Sequence, residues 1–271
     1  MRLRTVSLDQ LTIDDEGSVA HVALYDRLKQ ALRRSDHRFV IPVAGTEISW
    51  DRALFLNLTY WSERRGGDVL CDDHIPADVV AHVAWHQVVS RQLARQAVAP
   101  AGAPSAAALF FAESIASAFD LYLVGRLLSH VPDSDFIVTQ VPLMAERAQA
   151  AGLSDDGFTA LMNDVARDPE RAFEDMRALL LDVANALLGC RGLLEAQETL
   201  ARFVGHRFEP LLHHYELSNW ILYARAHADP SLTPDAVVAE SDRLLRQAPV
   251  ALEALADHWI GADRLDPPAI H

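Results

Sequence analysis

Two stretches constrain the fold of this chain most: HIPADVVAHVAWHQVVSRQL at residues 74–93 and FFAESIASAFDLYLVGRLL at residues 110–128. Each repeats inward-type residues at mixed three- and four-residue steps, the stripe of an amphipathic helix. The first stripe reads Val79, His82, Val83, His86, Val89 and Leu93. The second reads Phe110, Glu113, Ser117, Asp120, Val124 and Leu127. Two histidines and two carboxylates are thus expected to face inward with the valines. A buried carboxylate is costly unless it is paired or coordinated, and a shared cation would compensate all four groups. Ala112, Ala116, Ser117 and Ala118 are small enough to admit a close neighbour. The connection VAPAGAPSAAA is short enough to make the two helices antiparallel partners.

Histidines at i and i+4 lie on one helical face, so His82 and His86 can reach one cation from a single rigid element. Glu113 supplies a third ligand and leaves a coordination position open. Asp120 is either a further ligand or a second layer that orients a metal-bound imidazole. The metal-free alternative is a structural polar cluster in which Glu113 hydrogen-bonds a histidine directly.

His82-Val-Ala-Trp-His86 resembles the zinc-binding HExxH helix of gluzincin metallopeptidases, and FFAESIASAFD is similar to the downstream helix carrying their third ligand. The likeness is greatest to the helical oligoendopeptidase group and covers residues 74–125. It implies zinc on His82, His86 and Glu113. It also implies an oxyanion-stabilising His or Tyr towards the C-terminus, where His213, His214 and Tyr215 stand. The departure is at Val83, which occupies the position of the catalytic glutamate. Valine cannot accept a proton from water or return one to a leaving amine. Asp78, one turn before His82, is the candidate displaced base. The resemblance therefore implies a metal-binding scaffold that is not an ordinary peptidase, a pseudoenzyme or a hydrolase of altered chemistry.

A second enzyme class remains open, a non-haem iron or di-metal oxygenase. Asp78 and His82 form a DxxxH pair that Glu113 could join, and imidazole with carboxylate suits iron as well as zinc. A third reading is a non-catalytic helical interaction protein whose polar cluster is structural. His74, in the segment CDDHIP, is expected to be solvated rather than a fourth ligand. Tandem histidines point to different helical faces, so at most one of His213 and His214 faces any given site.

The fold class expected is mainly α, a multi-helix bundle with a small β-hairpin near the N-terminus. The hairpin falls in HRFVIPVAGTEISW around a Gly45 turn. Helices are expected over 18–34, 50–64, 76–97, 105–130, 134–151, 155–166, 169–188, 191–205, 210–228, 234–247 and 249–260, with Pro, Gly or Asp-Pro between most of them. The 271 residues, half of them hydrophobic, suffice for one large helical domain. Within it, 1–49 forms the N-terminal helix and hairpin, 50–264 the helical core and 265–271 a loose tail.

A formal charge of −14 argues against nucleic acid, which needs a basic groove. The basic run RLKQALRRSDHR reads as the solvated face of a short helix. No uninterrupted apolar run is expected to approach a membrane span, and the charged N-terminus lacks an apolar signal core. Cys71 and Cys190 have no CxxC spacing and read as free thiols. A cytoplasmic, bacterial-type protein is expected, with a small-molecule or peptide ligand and a homodimer as the partner alternatives. The Leu/Ala-rich face of LLLDVANALLG would serve either a core or a dimer interface.

Overall fold

The computed structural model describes residues 3–43, 68–96, 103–229 and 234–260. The protein is mainly α, as its periodicity requires. It divides into two compact units, Met1–Val88 and Val89–His271, and the division falls inside one continuous helix. The expected internal boundaries at 49/50 and 264/265 lie outside the described residues, as do the Gly45 turn, the 50–64 helix and the tail.

In the first unit, β1 (Leu3–Val6) pairs antiparallel with β3 (Phe39–Pro42), in register from Leu3↔Pro42 to Val6↔Phe39. The expected small antiparallel element is therefore present, with β1 as the partner of the Val40–Ile41 strand. Val40 also bridges Val69 in parallel. β2 (Thr12–Asp14) pairs in parallel with β4 (His74–Pro76).

The expected 18–34 helix is broken into α1 (Glu16–Val19) and α2 (Ala23–Arg34). Tyr25, Leu28, Ala31 and Leu32 form the buried stripe of α2. Its basic side chains find local carboxylates. Lys29 pairs with Glu16, and Arg33 with Asp9 at 2.8 Å. Tyr25 donates to the same Glu16 at 3.1 Å. Burial, with Glu16 beside it, pushes that phenol above its ordinary range.

α3 (Ala77–Gln96) carries the division between the units. In the second unit, α4 (Ala106–Leu128) packs chiefly against α7 (Pro169–Leu188) and α6 (Asp155–Arg167). Between Phe110 and Leu127, all but Glu113, Asp120 and Arg126 are fully buried. A helix apolar almost all round belongs in the interior. Against the expectation that no apolar run approaches a membrane span, α4 has the length and composition to cross one, and 72% of its apolar window is buried in protein. Gly125 marks a close approach: a Cβ there would lie 2.7 Å from the Val165 carbonyl oxygen and 3.1 Å from Pro169.

Local sequence sets the helix starts. Ser105, Ser134 and Ser154 accept from the N–H three residues on, at 3.0, 3.4 and 3.1 Å. These caps open α4, α5 (Asp135–Ala150) and α6. Asp168 caps α7, with Pro169 at its first position. The remaining helices are α8 (Leu193–Ala201), α9 (Leu217–His227), α10 (Ala236–Gln247) and α11 (Ala251–Leu255), the last continued by a π-helical turn over Ala256–Ile260. The expected 210–228 helix splits. Glu209–Tyr215 is a 3-10 turn begun by Pro210, and Glu216, at φ 47°, breaks the chain before α9.

Arg177 joins α7 to α10. Its side chain is fully buried and makes a two-pronged pair with Glu174 at 2.7 and 2.7 Å. A third bond reaches Asp242 at 2.8 Å. Arg246 of α10 completes the array on Asp242 at 2.8 Å and Asp182 at 2.7 Å. A buried guanidinium is tolerated because its donors are spent on carboxylates in this forked geometry.

Candidate metal centre

α3 begins directly after Pro76, the last residue of β4, with Asp78 in its first turn, where the helix dipole favours an acid. One turn on stands His82, and another turn on His86. Their rings lie 5.0 Å apart between centroids, inclined at 45°. Both are half-buried.

The sequence expectation that these histidines share the core stripe needs correction. Val80, Ala81, Val83, Ala84, Trp85, Val88 and Val89 are buried, whereas Asp78, Val79, His82, His86 and Leu93 are half-buried. The core side of α3 is set by Ala81, Ala84, Trp85 and Val88. The histidine line lies on the partly open side. The stripe is ambiguous in the sequence because alanines extend the apolar surface most of the way round the helix. For a ligand set this placement is favourable, since the imidazoles keep a route to solvent.

Glu113 and Asp120, also expected inside, are half-buried. They stand two turns apart on one face of α4, with buried Ser117 between them. The Ser117 hydroxyl lies 3.5 Å from Glu113 Oε1. On a helix otherwise sunk in the interior, this line of three is the polar strip.

His82, His86 and Glu113 come together. Each offers one ligand atom, and those atoms all lie within 4.8 Å of one another, an arrangement that could hold a metal ion. It is the one such group among the described residues. Bonds of about 2.0–2.1 Å in a tetrahedral shell place ligand atoms roughly 3.3 Å apart. Two neutral imidazoles and one carboxylate leave a bound dication partly uncompensated and leave a position for water or substrate.

Asp120 is outside that trio. His214 and Tyr215 of the 3-10 turn lie within its field. The His214 and Tyr215 rings meet edge-on at 5.1 Å. Burial holds His214 below the ordinary histidine value, against the opposing pull of Asp120. Burial, with Asp120 adding to it, raises the Tyr215 phenol. His213 points out to solvent, so the tandem pair divides as its spacing requires. Sequence reasoning misses the link between Asp120 and His214, because residues so far apart carry no shared spacing.

Val83 is buried, 5% exposed. Asp78 lies on the half-buried side of α3, one turn from His82. His74 is exposed and bound elsewhere. Its Nδ1 is 2.8 Å from Asp14 Oδ1, and its backbone N–H donates to Asp72 Oδ1 at 2.9 Å. That hydrogen bond and the charge of Asp14 raise its pKa. Cys71 is exposed and Cys190 buried, and no disulfide joins them. The chain matches no protein-family model, no curated protein and no solved structure.

Proposed function

We propose that this protein binds one divalent metal ion, zinc, through His82, His86 and Glu113, and that it is not an ordinary metallopeptidase. The observation that carries the reading is the convergence of the three ligand atoms within 4.8 Å on two half-buried helical faces. Zinc accepts this donor set with an open fourth position. Bound there, it would polarise a carbonyl or acidify a water. The chain's own residues restrict the chemistry open to such a centre. Peptide hydrolysis needs a base for the water and an acid for the departing amine. The position after His82 offers only the buried side chain of Val83. Asp78 is the nearest acidic alternative on α3. The charge of −14 supports a small-molecule or peptide ligand over nucleic acid.

A second reading is favoured by the donor set itself. Two histidines and one carboxylate with open positions also suit non-haem iron. Purified protein, dialysed against mixed zinc and ferrous iron without oxygen, separates the two by elemental mass spectrometry. The expected result is one zinc per chain, falling to background in Glu113→Gln. One iron per chain would favour the second reading. No metal, or metal unchanged in Glu113→Gln, would leave a purely structural polar cluster.

A further inference from the structure

We propose that this protein pairs with a second copy of itself through α8, the two helices lying antiparallel about a twofold axis. The inference is independent of the metal-binding reading. Of the residues of α8 (Leu193–Ala201), only Thr199 is fully buried. A helix this short is not stable alone and takes its stability from packing. Its apolar side chains instead face solvent. Leu193 and Leu194 are 75% and 76% exposed, and Val204, in the turn that follows, is 70% exposed. Leu222 of α9, at 63%, comes next among the described large hydrophobics. It stands one turn before Arg225, which donates to the carbonyls of Leu188 and Cys190 at 3.2 and 2.7 Å. α9 therefore abuts the corner from which α8 starts. Exposed aliphatic residues scattered singly need no explanation, but a cluster of the four most exposed marks an interaction surface.

The charges choose the occupant. From Leu193 to Val204 the order is acid first, at Glu195 and Glu198, and base last, at Arg202. With Arg191 included, the segment carries no net charge, in a chain of −14. A second, equally acidic copy meets least repulsion there. A parallel alignment would set like charges together. An antiparallel one puts Arg202 of one copy opposite Glu195 of the other, and Val204 opposite Leu193, and the twofold repeats each contact. Glu198 and Arg202 stand one turn apart, yet neither is spent on an ion pair among the described residues. Glu195 Oε2 accepts the Arg191 backbone N–H at 2.8 Å, which fixes that carboxylate at the start of the helix.

α8 is about 14 Å long. With Val204 and Leu222 it offers a contact at the small end of specific interfaces, which take roughly 800 Å² from each partner. The pair is therefore reversible and breaks on dilution. Its strength comes from the aliphatic side chains at the centre, and the ion pairs at the rim fix the orientation.

Sedimentation velocity on the full chain, with a metal chelator present and over a dilution series, tests this. The wild type should run as a dimer when concentrated and as a monomer when dilute. Leu194→Asp should abolish the dimer and leave the helical circular dichroism unchanged, because the side chain is exposed. Glu195→Arg and Arg202→Glu each set like charges opposite one another at both symmetric contacts. Each alone should weaken self-association at least about tenfold. Mixing these two variants sets opposite charges together at both contacts, and a dimer with one chain of each should return. Only an antiparallel second copy gives that rescue, and the rescue also shows that both variants are folded. A wild type monomeric at every concentration would leave the face to another occupant and overturn the proposal. A dimer that survives Leu194→Asp, or mixed variants that stay monomeric, would overturn it equally.

Discussion

At the scale of single residues, the assignment turns on three side chains. Replacing His86 by Ala removes one of three protein ligands and should weaken zinc binding by at least about 10²-fold, measured by competition with a chromogenic chelator. Unchanged affinity would exclude His86 from the shell. His74 offers a separate check on the first unit. Its pKa is raised by the hydrogen bond to Asp14 and then by the charge of Asp14. Its contribution to stability is therefore complete below the unfolded value of about 6.5 and is lost as pH rises through the higher folded value. The group is exposed, so the effect on stability is small, but its titration should fall towards the ordinary value in Asp14→Asn. An NMR titration that stays put would contradict the pairing. The His82–His86 pair is legible in the sequence through its four-residue spacing, and Glu113 through its place on the stripe of the next helix. Their burial is not, because an alanine-rich helix presents more than one credible core stripe. His74 and Asp14, from parallel strands β4 and β2, share no local pattern and cannot be paired from sequence.

At the scale of elements, capping residues make most boundaries readable. Ser105, Ser134, Ser154 and Asp168 each begin a helix within about two residues of where the punctuation puts it. The 210–228 segment reads as one helix because its apolar residues keep a helical period. The break comes from Glu216 in a left-handed conformation, which side-chain identity does not announce for a glutamate. Packing gives a sharp prediction at Gly125. Alanine would gain about 1 kcal/mol in helix propensity. Its Cβ would nevertheless sit 2.7 Å from a backbone oxygen of α6 that cannot rotate away. Overpacking of this kind costs about 1–3 kcal/mol, so Gly125→Ala should be destabilised in denaturant unfolding. A stabilised variant would mean that α4 and α6 do not approach so closely.

At the scale of the whole molecule, two long-range devices matter. The first is the buried Arg177, which binds Glu174 and Asp242 and so ties α7 to α10. Arg177→Ala leaves two carboxylates short of their partner and should cost about 3 kcal/mol. Arg177→Met, closer in volume, should recover part of the loss, and equal stability of Arg177→Ala with the wild type would deny the network its role. This tie is invisible in the sequence, where an arginine in an amphipathic helix reads as a surface residue. The second device is the metal. An ion that binds only the folded chain stabilises it by about 2.7 kcal/mol at a hundred times its dissociation constant. Thermal unfolding should therefore shift upward with zinc in the wild type and not in Glu113→Gln.

The most direct test of the central claim is anomalous X-ray diffraction from zinc-grown crystals, with data on both sides of the zinc edge. The account predicts a single strong peak within about 2.0–2.3 Å of one ring nitrogen each of His82 and His86 and of a Glu113 carboxylate oxygen. No peak at that point, or zinc held only by other residues, would contradict it.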